Sequence, residues 1–520
     1  MNFSDKRETL GSRLGFIFLS AGCAIGLGNI WRFPFITGHY GGAAFIFIYL
    51  IFLILIVTPI MAMEFATGRA SHASSVKSFK NLCPDHKIWS AWGWIGWAGN
   101  IILLMFYTVI TGWMLAYTFY SAVGYLERHV GTDVANFFVT HIDGLSNSDV
   151  NDIIFSIEGR TLSEAKNLIE KLPHISAENI SSITNWLKSL SVGYARLTFE
   201  NLISSPHSLL TWMGLTVLIS FCVCFPGLKS SVERITKIMM TCLLIIMFVL
   251  AVRSLTLDGS DAGLKFYLQP DFEKLKAHGI GEALYAALGQ AFFTLSVGMG
   301  SMAIFGSYIS KNKSLTGESL IIAGLDTVVA LTAGLIIFPA CFAYGIEPDA
   351  GPGLLFVTLP NTFAFMSSGR IWSTLFFLFM SFAALSTVIA VTENIIAGIM
   401  DALNLSRQRS CVIACSIIYL FSIPCALGFN LWSDVQPLGE GTMILDLEDF
   451  IVSNNLLPLG SIIYLLFCTT KYGWGWDNFI KEVDAGNGLK FPKMLHIYFK
   501  YVIPVIMLII FIFGYYEKFF

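Results

Sequence analysis

Eleven apolar runs of bilayer-spanning length dominate this chain: 12–37, 41–67, 89–124, 208–226, 238–257, 281–308, 318–345, 371–403, 411–428, 443–470 and 497–516. A hydrocarbon core roughly 30 Å thick takes about 20 helical residues to cross. With 55% hydrophobic and only 13% charged residues and a mean hydropathy of +0.68, 520 residues are too apolar for a soluble protein. The expectation is an all-α polytopic membrane protein, with the lipid bilayer as its permanent surroundings.

Basic residues orient it. Short cytoplasmic loops carry the Lys and Arg excess, and alternate segments are basic: Lys6, Arg7 and Arg13; Lys77, Lys80 and Lys87; Lys229 and Arg234; Lys311 and Lys313; Arg407 and Arg409. The intervening segments 38–41, 347–369 and 429–445 hold no Lys or Arg. The N-terminus is therefore expected in the cytoplasm of an inner (plasma) membrane protein, and an odd number of spans puts the C-terminus outside. Asn29 and Arg32 make the first run a span rather than a cleaved leader. The ten cysteines lie mostly in or beside the apolar runs, so free buried thiols are expected in place of a disulfide framework. A net charge of −3 gives no reason to expect a nucleic-acid partner.

Two outer segments are long enough to have structure of their own. In 125–207, Thr161-Leu-Ser-Glu164 has capping-box spacing ahead of a helix over 165–172, and 176–190 is amphipathic. In 351–369, rich in Gly, Pro and Ser, the apolar 354–359 predicts a short re-entrant or lid helix.

Glycine interrupts two of the spans. Ser20-Ala-Gly-Cys-Ala-Ile-Gly-Leu-Gly-Asn29 and Thr294-Leu-Ser-Val-Gly-Met-Gly-Ser301 break apolar helices with glycines among polar residues. An unpaired backbone group in the bilayer core costs several kcal/mol, so irregular backbone survives there only where it faces protein, water or ligand. Glycines can also serve close helix packing. Two matched breaks, flanked by Asn29 and Arg32 on one side and Gln290 on the other, point instead to a transport site at mid-membrane. One half-helix end offers N–H groups suited to a carboxylate; the other offers carbonyls suited to Na⁺ or an ammonium. If the first ten spans divide five and five, the breaks fall in the first helix of each half. The expected organisation is a single transporter domain: a first repeat over 1–257, a second over 281–470, and an extra helix at 497–516.

The resemblance then becomes specific. Gly26-Leu-Gly-Asn-Ile-Trp-Arg-Phe-Pro34 is very similar to the helix 1 signature of the neurotransmitter:sodium symporter family, and Gly289-Gln-Ala-Phe-Phe-Thr-Leu-Ser296 resembles its helix 6 signature. Similarity continues through Glu64, Tyr107, Ser386, Thr387 and Asp449. It implies a bacterial-type amino-acid symporter with the leucine-transporter fold, a five-plus-five inverted repeat with helices 1 and 6 unwound.

Carried over by position, the resemblance implies a substrate carboxylate held by the N–H groups of Leu27 and Gly28, the Tyr107 hydroxyl and Na⁺. The substrate ammonium would meet carbonyls near Ala24, Phe293 and Thr294 and the Ser296 hydroxyl. Amine-carrying members place an Asp where this chain has Gly26, so amino acids are favoured over amines. One or two Na⁺ ions are implied. The second site maps to the carbonyls of Gly22, Ile25 and Ala383 and the hydroxyls of Ser386 and Thr387. The first involves Ala24, Asn29, Thr294 and Asp326, but Cys23 stands where the prototype has asparagine, and a thiol is a poor Na⁺ ligand. Asp326 replaces a helix 7 asparagine, and Ala330, one turn on, replaces the residue that separates chloride-dependent members from the others. An intramembrane carboxylate is a functional hypothesis by default. Asp326 could supply the charge chloride brings elsewhere, so chloride is not expected as a cofactor.

Gates are implied at both mouths: Arg32 with Asp449 above the site, and Arg7 with Asp401 beside Tyr308 on the cytoplasmic side. Leu10 stands at the prototype's inner-gate tryptophan. Leu103, Phe293, Ser296, Met299, Thr387 and Val391 are expected to line an uncharged side-chain pocket, with Met299 yielding space for large hydrophobic or aromatic amino acids. The alternative reading is a sodium-dependent sensor that binds without transporting. The nine histidines form no metal-spaced pair, which argues against an enzyme.

Overall fold

The computed structural model describes residues 8–127, 147–169, 171, 177–344 and 353–519. Among them there is no β-strand; isolated bridges join Gly42 to Pro270 and Lys313 to Asn487. Among the described residues nine helices are long and apolar enough to span a bilayer, and a bent pair, turning by 56°, makes a tenth. We number the spans in chain order. The bent span α1 consists of Arg13–Ala24 and Gly28–His39; α2 is Ala43–Ser71, α3 Lys87–Ala122, α4 Pro206–Cys224 and α5 Leu228–Leu255. The sixth, α6, is interrupted between Ile280–Leu295 and Ser301–Gly306. Then follow α7 Leu315–Ala343, α8 Gly369–Leu403, α9 Arg407–Leu427, α10 Ile444–Thr469 and α11 Lys493–Tyr516. Ten of the eleven apolar runs thus correspond to spanning helices, and the run 281–308 to the two half-helices of α6.

Proline shapes several of them. Five single π-turns, Gly28–Arg32, Leu53–Val57, Leu354–Thr358, Phe450–Leu456 and Tyr498–Val502, each end two residues before a proline: Pro34, Pro59, Pro360, Pro458 and Pro504. A proline ring pushes against the carbonyl four residues back and donates no hydrogen bond. Widening the preceding turn relieves that pressure inside a continuing helix.

The longest helices form the scaffold. α3 packs along α8, α4 and α9, and α5 packs on α7 and α8. Both halves of α6 lie against α2, and the first half of α1 lies between α5 and α8. The broken spans are therefore enclosed by unbroken ones, as buried irregular backbone requires.

Over the face opposite the N-terminus lie helices Asn147–Ile157, Leu162–Ile169 and Ala177–Ser204. The capping box forms: Thr161 N–H donates to Glu164 Oε2 at 3.1 Å, and Glu164 N–H to Thr161 Oγ1 at 3.4 Å. The helix starts three residues earlier than the sequence suggests, at Leu162, because the residues inside a capping box are already helical. Val150, Ile153, Ile157, Leu162, Ile183 and Leu187 form a small core of their own with Phe365. That core joins this cap to the second outer segment, whose helix Leu359–Ala364 follows the π-turn at 354–358.

Candidate functional site

The first half of α1 ends at Ala24; Ile25 turns extended, and helix resumes at Gly28. Glycine is required because three other spans crowd the gap. A Cβ on Gly26 would collide with the Tyr107 hydroxyl and lie 2.8 Å from Thr387 Oγ1; one on Gly28 would lie 2.6 Å from the Phe293 ring. The freed backbone finds side chains. Gly26 N–H donates to Asn29 Oδ1 at 3.1 Å, Leu27 N–H to the Tyr107 hydroxyl at 2.8 Å, and Gln290 Nε2 to Gly28 O at 2.9 Å.

In α6 the chain leaves the helix at Ser296 (φ 50°) and passes Gly298 (φ 113°) and Gly300 (φ 82°) before resuming at Ser301. Such dihedrals come at low cost only to glycine. Glu64 of α2, fully buried, accepts the Gly300 N–H. Ser296 Oγ donates to Cys23 O at 3.3 Å, joining the two breaks.

Two polar clusters lie within the membrane-spanning layer. In the first, Asn29 Nδ2 donates to Asp326 Oδ1 at 2.8 Å and reaches Thr294 Oγ1 at 3.0 Å, while Thr294 Oγ1 donates to Asp326 Oδ2 at 2.9 Å. All three residues are fully buried. In the second, Thr387 Oγ1 lies 3.1 Å from Gly22 O, 3.4 Å from Ile25 O and Ala383 O, and 3.5 Å from Cys23 O. A hydroxyl has one proton for these four carbonyls, so the cluster is electron-rich, and hard oxygens of this kind fit a small hard cation. Ser386 Oγ, by contrast, donates within its own helix to Ala383 O at 2.9 Å. The Cys23 carbonyl accepts from the hydroxyls of Ser296 and Thr387.

Between the clusters is a pocket lined by Cys23, Ala24, Gly26, Gly28, Leu103, Tyr107, Phe293, Ser296, Met299, Thr387, Val452 and Leu457. Its free volume is about 10 Å³, room for one water at most. No lining side chain is charged. Of the residues expected here, Leu27 contributes its amide, Thr294 turns to Asp326, and Val391 is buried outside the lining. Val452 and Leu457 of α10 come from an apolar stretch whose sequence carries no site signal.

At the mouth opposite the N-terminus the expected ion pair is not made. Arg32 stacks over the Phe293 ring, 5.0 Å from its centroid, while Asp449 Oδ1 accepts from the Ser453 hydroxyl at 2.6 Å. Arg32 meets a ring face, with its buried Nη1 left without a hydrogen bond among the described residues, and Asp449 meets a hydroxyl one turn on.

At the other mouth, Arg7 lies outside the described residues. Asp401 Oδ2 accepts from Ser74 N–H at 2.7 Å, and Leu10 N–H donates to Tyr308 O at 3.1 Å. The Tyr308 hydroxyl donates to Glu393 Oε1 at 3.0 Å. Glu393 is fully buried in α8 and takes Arg407 on both oxygens, at 2.9 and 2.5 Å. Sequence reasoning passed over this pair; a lone Glu inside the apolar 371–403 run was its signal. The start of α1 is held by Glu233 of α5, which accepts from Gly11 N–H and Ser12 Oγ, and by an Arg13–Glu318 pair at 2.9 Å.

Comparison with known proteins gives a consistent picture. A family model described as the sodium:neurotransmitter symporter family matches residues 7–518. An uncharacterized sodium-dependent transporter, YhdH, of Bacillus subtilis (strain 168) is 32% identical over 503 residues, which are 96% of each chain. The sodium-dependent serotonin transporter of Drosophila melanogaster is 27% identical, over 98% of this chain and 76% of its own length. Among solved structures, the crystal structure of MhsT in complex with L-phenylalanine matches with a TM-score of 0.78 at 35% identity, covering 98% of this chain and 100% of that one.

Proposed function

Because the chain belongs to the sodium:neurotransmitter symporter family, we propose that this multi-pass, sodium-coupled symporter carries neutral L-amino acids, large hydrophobic or aromatic ones by preference. The observation that carries the substrate class is the pocket lining. It has no charged side chain, and Gly26, packed against Tyr107 and Thr387, leaves no room for an acidic one. An amine without a carboxylate would find no counter-charge there; an amino acid brings its own.

The substrate carboxylate has the Leu27 amide, the Tyr107 hydroxyl and the positive end of the half-helix beginning at Gly28 within reach. The preference for large side chains draws on Met299, an adaptable floor, and on the L-phenylalanine held by a structural relative 35% identical in sequence. Na⁺ is cargo. Gly22, Ile25, Ala383, Ser386 and Thr387 would hold one ion, and Ala24, Asn29, Thr294 and Asp326 a second. Asp326 would take the place of chloride. Alternating access follows if α1, α2, α6 and α7 rock against the scaffold of α3, α4, α5 and α8, with the N-terminus cytoplasmic and the C-terminus outside.

The test is a competition screen of the twenty amino acids on the purified protein with and without Na⁺, followed by uptake into proteoliposomes. Sodium-dependent binding led by aromatic and large aliphatic amino acids, with uptake driven by a Na⁺ gradient, is expected. Binding without gradient-driven uptake would leave a sensor; no amino-acid binding would remove the substrate assignment.

A further inference from the structure

We infer that α3 sets the size of the substrate pocket from behind, through Gly96, Gly99 and Asn100, residues that do not line it. The inference rests on the amino-acid reading above and names what tunes its selectivity. Positions 96, 99, 100, 103 and 107 are spaced to lie on one helix face. The last two, Leu103 and Tyr107, line the pocket; the first three meet the non-helical turn of α6 at Met299.

Each does so differently. A Cβ on Gly96 would stand 2.9 Å from Met299 O and 3.3 Å from its Cα, so the turn's backbone rests directly on the helix. A Cβ on Gly99 would stand 3.0 Å from Met299 Sδ, 3.5 Å from its Cγ and 2.7 Å from Leu456 Cδ1, so the thioether lies across that glycine. Asn100, fully buried, grips the turn on both sides of Gly300. Its Nδ2 donates to Met299 O at 3.0 Å and to Gly96 O at 2.8 Å, and its Oδ1 accepts from Ser301 Oγ at 2.7 Å.

The turn cannot hold Met299 by itself. Gly298 and Gly300 flank that residue at positive φ and bring no side chain. From the α2 side Glu64 takes the backbone N–H groups of Gly300 and Gly298, on either side of Met299. α10 supports the turn one residue earlier, its Leu457 and Gly460 packed against Gly298, and α3 is the helix that meets the Met299 carbonyl and thioether. With about 10 Å³ free in the pocket, any forward displacement of the thioether comes directly out of the space for the substrate's side chain.

Sodium-dependent binding competition on the full-length protein tests this. Gly99→Ala is expected to push Met299 forward and to weaken L-tryptophan and L-phenylalanine by about 10- to 200-fold, the range one methylene commands in an apolar pocket. L-alanine and L-valine should change less than about threefold, and their retained binding also reports folding. In a Met299→Ala background the same Gly99→Ala change should lose its effect on the aromatic substrates, since coupled residues are non-additive. Asn100→Ala, which frees Met299 O and Ser301 Oγ, should reduce the aromatic-to-small preference while Na⁺ dependence persists. Gly324→Ala, where a Cβ meets nothing within 4 Å, should match the wild type. Parallel changes for all substrates, or an undiminished Gly99→Ala effect without the thioether, would overturn the inference. If the wild type binds no amino acid, the functional reading fails first and separately.

Discussion

The Leu27 amide donates to the Tyr107 hydroxyl at 2.8 Å, so α3 supplies the polar partner for backbone that α1 exposes where it unwinds. The same two groups are those proposed to meet the substrate carboxylate. Tyr107→Phe removes the hydroxyl and leaves the buried Leu27 N–H without its partner. Hydrogen bonds to charged groups contribute about 1.5–3 kcal/mol, so the substrate Kd should rise about 10- to 150-fold. Equilibrium binding of radiolabelled substrate at saturating Na⁺ measures it, and a change below threefold would remove Tyr107 from the cradle.

How much of this was legible in the sequence depends on the range of the interaction responsible. Spans are set by local hydropathy, and all eleven were readable. The breaks were readable because Gly26, Gly298 and Gly300 announce backbone that a side chain would obstruct. The capping box at Thr161 and Glu164 involves residues three apart, and it formed where its spacing placed it. Val452 and Leu457 are different: nothing in an apolar run says which of its faces meets a pocket built by α1, α3 and α6. The Glu393–Arg407 pair joins two helices through tertiary packing, and only the isolated acid hinted at it. Arg32 and Asp449 show the reverse error, since two charges at matching depth need not pair when a ring and a hydroxyl lie closer.

Asp326 concentrates the first polar cluster, accepting from Asn29 and Thr294 on separate oxygens. If its carboxylate supplies the charge that chloride supplies elsewhere, replacing chloride by gluconate should leave Na⁺-driven uptake by the wild type unchanged within about 20%. Asp326→Asn keeps the shape and removes the charge, and should raise the Na⁺ concentration for half-maximal uptake at least about tenfold, equivalent to about 1.4 kcal/mol. Chloride sensitivity of the wild type would refute the role.

Two neighbouring hydroxyls in α8 should behave unequally. Thr387 Oγ1 sits among the carbonyls of Gly22, Cys23, Ile25 and Ala383, whereas the Ser386 hydroxyl donates to Ala383 in its own helix. Thr387→Val preserves volume while removing an oxygen ligand, so the Na⁺ requirement for substrate binding should rise about tenfold or more. Ser386→Ala should raise it by a smaller factor, because that hydroxyl faces one carbonyl where Thr387 faces four. Na⁺ titrations of substrate binding in the two variants decide the order, and an equal effect would show that both hydroxyls serve the ion alike.

Glu393 and Arg407 should show the asymmetry of a buried ion pair. Glu393 is fully enclosed, while the Arg407 side chain keeps 12% exposure and also donates to Cys224 O at 2.8 and 3.0 Å. Arg407→Gln strands a carboxylate away from water with only the Tyr308 hydroxyl for company, a loss that typically costs about 3–5 kcal/mol. Glu393→Gln leaves the cation with Cys224 O and some solvent, and should cost less. The double change removes both charges and should recover most of the loss, since the attraction in such a pair largely offsets its desolvation. Thermal unfolding of the three variants in detergent, followed by the loss of monodisperse protein, reads the order directly: Arg407→Gln lowest, Glu393→Gln between, the double variant nearest the wild type. A double variant no more stable than Arg407→Gln would mean that the pair stabilises the fold through its own attraction.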